Sequence, residues 1–304
     1  MSSRHSNLSS GRRFADVWRV AVETSPLHSL TPKKANEKRL LALLSDYDNH
    51  AHNLPPRFVK CRLINQLGET LAPMTLVLFP GLDGTGNLFG NFVSALNPSL
   101  DARIVRYPRD RPLSYDDLLA CAAGSIPENQ PFVILAESFS TPLAVRLAAT
   151  NPEGLKGLVI CAGFIRNPVH GWLSHMKAVV QPSFFRIPLP RFVIDRFLIG
   201  ARAPRELRDE VRRTLRSVPP EIVAFRVRAV MECDASKELV RVRVPTLYVQ
   251  AEQDRLVGKL SFEEIQDLKP DTVLATIAAP HFLLQREPRR AADLIAAFLA
   301  TLPS

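Results

Sequence analysis

Three side chains that together could perform nucleophilic catalysis lie far apart in the sequence: Ser138, Asp254 and His281. A serine hydroxyl becomes an effective nucleophile when a neighbouring base takes its proton and a third group orients that base. Histidine is the usual base, and a carboxylate is its usual partner. We therefore predict an acyl-transfer site in which Ser138 attacks, His281 accepts the proton and Asp254 orients the imidazole.

Ser138 lies in a stretch whose pattern predicts a strand, a tight turn and a helix. An apolar run over residues 132–136 comes before the serine, and small apolar residues follow it. This is the layout of a nucleophile elbow, which is usually Gly-x-Ser-x-Gly. Here Ala136 and Ser140 replace both glycines. The alternative for the serine taken alone is that it caps the helix that follows.

Two predicted loops offer backbone donors for an oxyanion. The first donor is the N–H of Phe139, the residue after the nucleophile, and the second is the N–H of Leu82 in the glycine-rich loop over residues 80–86. Gly81 lets the backbone approach a substrate without a Cβ in the way. Phosphate binding by this loop is disfavoured, because its spacing is G-x-x-G-x-G and no Lys-Ser or Lys-Thr pair follows.

The elements that must position these residues alternate between strand and helix from Met74 onwards. Asp254 and His281 each follow a predicted strand, in the loops where parallel sheets place their sites. The fold class is therefore α/β, with a mostly parallel central sheet of about six strands flanked by helices. We predict strands at 74–79, 103–105, 132–136, 157–161, 245–250 and 272–275.

The alternation stops after Gly163 and returns only near residue 245. The periodic pieces between are helical, for example at 192–199, 205–216 and 220–231. We therefore predict a basic, partly disordered N-terminal extension (1–73), an α/β core (74–163 and 241–304) and a helical cap (164–240). The cap is expected to roof the pocket. Its aromatic residues suggest an apolar substrate but are expected to pack mainly as cap core: Trp172, Phe184, Phe185, Phe192 and Phe197.

The N-terminal extension admits three interpretations: a disordered regulatory arm, an organelle-targeting segment, or sequence upstream of a start at Met74. The third is favoured because the first core strand begins at Met74 itself. The run from Asp46 to His52 alternates acidic residues and histidines. A solvated loop is favoured there over a metal site, because no scaffold is evident around it.

Composition narrows the class of protein. The 304 residues are 46% hydrophobic and 23% charged, which is typical of a soluble globular protein. No apolar stretch is long enough to span a membrane, and the +9 net charge forms no patch with interleaved aromatics, so nucleic-acid binding is not expected. Four widely spaced cysteines favour a reducing, cytoplasmic location. Of these, Cys121 and Cys161 are expected to be buried.

Four motifs together resemble the α/β-hydrolase superfamily, and most closely its bacterial esterase and lipase members. They are FPGLDGTG at 79–86, ESF at 137–139, QDRLV at 253–257 and PHFLLQ at 280–285. The resemblance covers about 74–302. It implies an α/β-hydrolase fold with a helical cap inserted before the acid, and a carboxylesterase mechanism that needs no cofactor. Pro80 stands where many members carry histidine.

The predicted function is hydrolysis of a small to medium, apolar carboxylic ester by a Ser-His-Asp triad. The partner is then a small-molecule ester. Acyl transfer to an alcohol or thiol by the same triad is the alternative within enzymes. A non-catalytic ligand-binding protein on a hydrolase fold is the alternative of another class, and the presence of Ser138, Asp254 and His281 argues against it.

Overall fold

A computed structural model describes residues 74–168, 180–187 and 189–303 of the chain. The predictions for the N-terminal extension and for Trp172 lie outside these residues. Within them, six strands alternate with helices in the order that the apolar runs predict. The bounds of the strands are β1 Thr75–Phe79, β2 Asp101–Ile104, β3 Phe132–Glu137, β4 Leu155–Cys161, β5 Thr246–Ala251 and β6 Val273–Ile277.

All six strands belong to one sheet, in the order β2-β1-β3-β4-β5-β6, and every neighbouring pair is parallel. The predicted fold class is therefore confirmed. Every residue of β1 and β3 is buried, because these strands have neighbours on both sides and helices on both faces of the sheet. That burial is why they read as continuous apolar runs instead of alternating patterns.

Helices connect the strands and cover the sheet. A single 3₁₀ turn, Asn87–Phe89, precedes the first of them. Their bounds are α1 Gly90–Ala95, α2 Tyr115–Ala123, α3 Thr141–Ala149, α4 Pro182–Arg186, α5 Arg191–Val193, α6 Arg205–Arg216, α7 Pro220–Glu232, α8 Ser236–Leu239, α9 Lys259–Leu268, α10 Leu283–Arg286 and α11 Pro288–Leu299.

Helix α2 shows how local sequence sets an element and its buried face. It begins after Ser114, whose hydroxyl accepts the Asp117 N–H while the Asp117 carboxylate accepts the Ser114 N–H. Its inward positions are Tyr115, Leu118 and Ala122, spaced as one helical face requires.

Cys121 lies off this face and is exposed, so its predicted burial was wrong. The burial predicted for Cys161, the last residue of β4, is confirmed.

Helices α4 to α8 all lie between β4 and β5, inside the stretch predicted as a cap. The division into core and cap stays a prediction. The predicted helix at 192–199 is instead one α-helical turn, α5, followed by a π-helical segment, Ile194–Leu198. Phe184 and Phe192 are 61% and 70% exposed, so the prediction that they pack as cap core was wrong for both.

A small apolar cluster joins the segment after α5 to helix α6 and to the 3₁₀ turn before α1. Arg208 of α6 donates to Asp195 at 2.7 Å beside this cluster. The cluster consists of Leu88, Ile194, Ile199, Ala203, Leu207 and Val211.

Among the helices of the described ranges, none is both long and apolar enough to cross a bilayer.

The parallel sheet brings four loops to one edge. Because all strands run in the same direction, the loops that follow β1, β3, β5 and β6 emerge at their shared carboxyl ends. Those loops carry Leu82, Ser138, Asp254 and His281 respectively. The sheet therefore brings together residues that are distant in the sequence: Leu82 and His281 are 199 positions apart.

Candidate active site

Ser138 occupies a strained turn between β3 and α3. β3 ends at Glu137 and α3 begins at Thr141, so only three residues reverse the chain direction. The φ angle of Ser138 is +48°, in the left-handed region that side chains rarely adopt. Such strain is typical of functional positions. The predicted elbow geometry is present although both consensus glycines are absent.

Ser138, His281 and Asp254 form a continuous hydrogen-bonded series. The distance from His281 Nε2 to Ser138 Oγ is 2.9 Å, and that from His281 Nδ1 to Asp254 Oδ2 is 2.7 Å. The side chains of His281 and Asp254 are 5% and 3% exposed. A carboxylate at Nδ1 holds the ring proton there, which leaves the Nε2 lone pair directed at the serine.

The backbone fixes the Asp254 carboxylate. Its Oδ1 atom accepts the N–H groups of Leu256 and Val257 at 2.8 and 3.0 Å, while Oδ2 faces the imidazole of His281. The loop after β5 thus sets the orientation of the acid before any substrate binds. The structure brings the three predicted residues together, and their catalytic roles stay a prediction.

The two predicted oxyanion donors lie in ordered loops. The Gly81 carbonyl accepts the Gly84 N–H at 3.0 Å. Because the C=O and N–H of a trans peptide point in opposite directions, the Leu82 N–H points away from this turn. The Phe139 carbonyl accepts the Tyr115 hydroxyl at 3.0 Å, and the two aromatic rings stack with centroids 5.0 Å apart. The assignment of Leu82 and Phe139 as donors stays a prediction.

Ser140, which replaces the second consensus glycine, links the elbow to the loop after β1. Its side chain is fully buried. The Ser140 hydroxyl donates to the Pro80 carbonyl and accepts the hydroxyl of Tyr107, with 2.6 Å between the two side-chain oxygens. Ala136, at the first glycine position, is also fully buried. Small side chains meet the packing demand here, and the serine adds two hydrogen bonds that glycine would not form.

We predict that Ser140→Ala lowers the free energy of unfolding by about 2 kcal/mol. The substitution leaves the Tyr107 hydroxyl and the Pro80 carbonyl without this partner, and a buried unsatisfied polar group costs about 1–3 kcal/mol. The measurement is urea unfolding, with Ser94→Ala on the exposed side of α1 as the matched control. Equal effects of the two substitutions would contradict the proposed importance of the buried link.

Glu137 is a buried acidic residue that sequence reasoning missed. Its Oε1 accepts the side-chain amide of Gln285 at 3.0 Å, and its carboxyl also accepts the Gly81 N–H. Burial raises the pKa of the Glu137 carboxyl from 4.5 to about 7, although the Gln285 amide and the imidazole of His281 oppose the shift. The available signal was an acidic residue at the end of an otherwise apolar strand. This carboxyl therefore joins the end of β3 to the loop after β1 and to helix α10, which follows His281.

We predict that the protein loses stability as pH rises through the range from about 4.5 to about 7. The folded state binds the Glu137 proton more tightly than the unfolded state, so unfolding becomes easier as that proton is lost. The full effect of a shift of this size is roughly 3 kcal/mol. Urea unfolding at pH 5 and pH 8 measures it.

Glu137→Gln is the control for this pH dependence. Asp83 is also buried with a raised pKa, and it contributes a slope of the same sign to both proteins. The difference between wild type and variant therefore isolates Glu137. Parallel curves for the two proteins would show that Glu137 does not titrate in this range.

Comparison with known proteins gives a family match over more than half of the chain. Residues 114–282 match the family described as serine aminopeptidase, S33. The chain is 28% identical over 249 residues to a pimeloyl-[acyl-carrier protein] methyl ester esterase of Xanthomonas axonopodis pv. citri (strain 306). That alignment covers 75% of this chain and 96% of the relative.

Solved structures show the same fold. A lipase-esterase related protein from Clostridium acetobutylicum ATCC 824 superposes with a TM-score of 0.61 at 15% identity, covering 75% of this chain and 95% of that one. The enol-lactonase from Burkholderia xenovorans LB400 gives a TM-score of 0.61 at 16% identity, covering 75% and 92%. At these identities, the likeness concerns the fold alone.

Proposed function

The chain belongs to the S33 family of α/β hydrolases and is a serine hydrolase, and on that basis we propose that it cleaves carboxylic esters. The predicted resemblance to the α/β-hydrolase superfamily is confirmed by this match. The observation that carries the proposal is the hydrogen-bonded series of Ser138, His281 and Asp254 at the elbow. The proposed substrate is a small to medium ester with an apolar acyl or alcohol group.

Acylation is the first proposed step. Ser138 Oγ attacks the ester carbonyl carbon as His281 Nε2 takes the hydroxyl proton, and the carbonyl electrons move onto oxygen. The N–H groups of Leu82 and Phe139 donate to that oxyanion, while Asp254 stabilises the imidazolium. When the intermediate collapses, the carbon–oxygen bond to the alcohol breaks. The alcohol leaves with the proton from His281.

Water completes the proposed cycle. His281 takes a proton from water, whose oxygen attacks the carbonyl carbon of the acyl-serine. The second tetrahedral intermediate releases the carboxylic acid and returns the proton to Ser138. An alcohol in place of water would give acyl transfer by the same steps. The two reactions therefore differ only in the acceptor that reaches the acyl-enzyme.

The test is a panel of p-nitrophenyl esters from acetate to decanoate, with the methyl ester of a dicarboxylic acid added because of the Xanthomonas relative. A p-nitroanilide of alanine tests for amide cleavage, which the family description suggests. We expect ester hydrolysis and only weak anilide cleavage. A fluorophosphonate should inactivate the enzyme at one equivalent and leave its adduct on Ser138.

Two results would overturn the proposal. Absence of both ester hydrolysis and labelling would favour a ligand-binding role. Anilide cleavage that exceeds ester hydrolysis would identify an amidase or peptidase. Product analysis with added methanol separates hydrolysis from acyl transfer. Free acid as the main product supports hydrolysis, and a predominant methyl ester product identifies an acyltransferase.

A further inference from the structure

Arg226 of α7 is a charged residue with only 2% of its surface exposed. It lies on the inward face of that helix, between the apolar positions Ile222 and Val230. A buried charge is unfavourable unless hydrogen-bonding partners compensate for its lost hydration. The partners of Arg226 therefore reveal what this position does.

The guanidinium group binds the loop after β1. Arg226 Nη1 donates to the carbonyls of Leu82 at 2.9 Å and Asp83 at 2.6 Å, and Nη2 donates to the Pro108 carbonyl at 3.1 Å. The group also lies over two aromatic rings, 5.7 Å from the centroid of Tyr107 and 6.0 Å from that of Phe139. Arg226 thus contacts both residues whose N–H groups are the proposed oxyanion donors.

The loop has a glycine where the arginine approaches it. The φ angle of Gly84 is +66°, and a Cβ there would lie 2.5 Å from Arg226 Nη1 and 2.8 Å from a ring carbon of Tyr107. Any side chain at this position would therefore displace the guanidinium. The Gly84 carbonyl in turn accepts the Tyr107 N–H at 2.8 Å. The loop and the arginine fit each other closely at this point.

These contacts determine the direction of the Leu82 N–H. The Gly81–Gly84 hydrogen bond holds the Gly81–Leu82 peptide, which carries this N–H, and Arg226 holds the next two carbonyls along the chain, those of Leu82 and Asp83. Together they leave little rotation for the peptide unit that carries the Leu82 N–H. The donor is therefore oriented before substrate binds, which is the condition under which oxyanion stabilisation is strongest.

We propose that Arg226 is a positioning residue that holds the oxyanion loop in its catalytic conformation and so makes turnover depend on α7. The proposal rests on the ester hydrolysis proposed above. A residue that merely anchored α7 would affect stability or substrate binding. A positioning residue must affect the step in which charge develops on the carbonyl oxygen.

The experiment compares Arg226→Met and Arg226→Lys with wild type, and uses Arg228→Met as the matched control. Arg228 lies on the same helix but donates to the Val180 carbonyl, away from the loop. We expect Arg226→Met to lower kcat for p-nitrophenyl butyrate about 30-fold or more with KM changed less than about threefold, since losing one oxyanion donor costs about 10²–10³ in kcat. Arg226→Lys should recover part of the loss, and Arg228→Met should stay within about threefold of wild type.

The rate of labelling by a fluorophosphonate is the second readout. Its phosphoryl oxygen needs the same donors, whatever the natural substrate. We expect slowing by about 10-fold or more in Arg226→Met. If wild type hydrolyses no ester but labelling slows in this way, the proposed function fails while the role of Arg226 stands.

A folded Arg226→Met variant with unchanged kcat and labelling rate would overturn the proposal, and so would a loss confined to KM. If Arg226→Met does not fold, the same two readouts on Arg226→Lys decide the question. Full wild-type rates in the lysine variant would then count against the proposal, because a single ammonium group cannot reproduce the three bonds of the guanidinium.

Discussion

Ser138→Ala is expected to lower kcat/KM for p-nitrophenyl esters by about 10⁴-fold or more and to leave the fold intact. The substitution removes the oxygen that is proposed to form the acyl-enzyme. The serine hydroxyl contacts only the His281 imidazole among the contacts described above. The lost oxygen should therefore have little effect on stability.

The comparison requires two measurements and one control. Esterase assays give the change in rate, and circular dichroism with urea unfolding shows whether the fold persists. Ser94→Ala, on the exposed side of α1, should retain wild-type activity. If Ser138→Ala keeps more than about a tenth of the activity while folded, Ser138 is not the nucleophile.

Asp254→Asn is expected to lower kcat by about 10⁴-fold. The Asn side-chain oxygen can still accept the N–H groups of Leu256 and Val257, so the geometry of the loop should persist. Its amide nitrogen would then face His281 Nδ1 and donate to it. The ring proton would move to Nε2, and the imidazole could no longer accept the proton of Ser138.

Glu252→Gln provides the matched control, because Glu252 is an exposed acid two residues before Asp254 in the same loop. It should retain activity within about threefold of wild type. Esterase kinetics and urea unfolding of both variants give the result. An active Asp254→Asn with an inactive Glu252→Gln would mean that Glu252, and not Asp254, is the acid that orients His281.

The sheet could be predicted from the sequence because strands that are buried on both faces have a recognisable pattern of residues. Each central strand is a short, continuous apolar run, and the helices between them have one apolar face. The helix predicted at 205–216 agrees with α6 of the structure at both ends. The proximity of Ser138, Asp254 and His281 could also be predicted, because parallel strands place the loops after them at one edge.

Side-chain contacts between distant segments could not be predicted in the same way. Arg226 bonds to Leu82 across 144 positions, and Tyr107 bonds to Ser140 across 33. No local pattern distinguishes a buried arginine that satisfies loop carbonyls from one on a solvated helix face. The burial of apolar side chains in short helices was also hard to predict. Phe184 is apolar but exposed, because apolar character alone does not determine which side chains the rest of the protein covers.

The sheet order also has a consequence for how catalytic activity arises during folding. Ser138, the proposed nucleophile, follows β3, whereas His281, its proposed base, follows β6, which lies beside β5 at the edge of the sheet that the described residues form. Parallel pairing between such distant segments forms slowly, because loop closure precedes any gain from the contacts. A folding intermediate with β1 to β4 in place would carry Ser138 without its base. Ester hydrolysis should therefore appear later than secondary structure during refolding, and it reports that the last strand has docked.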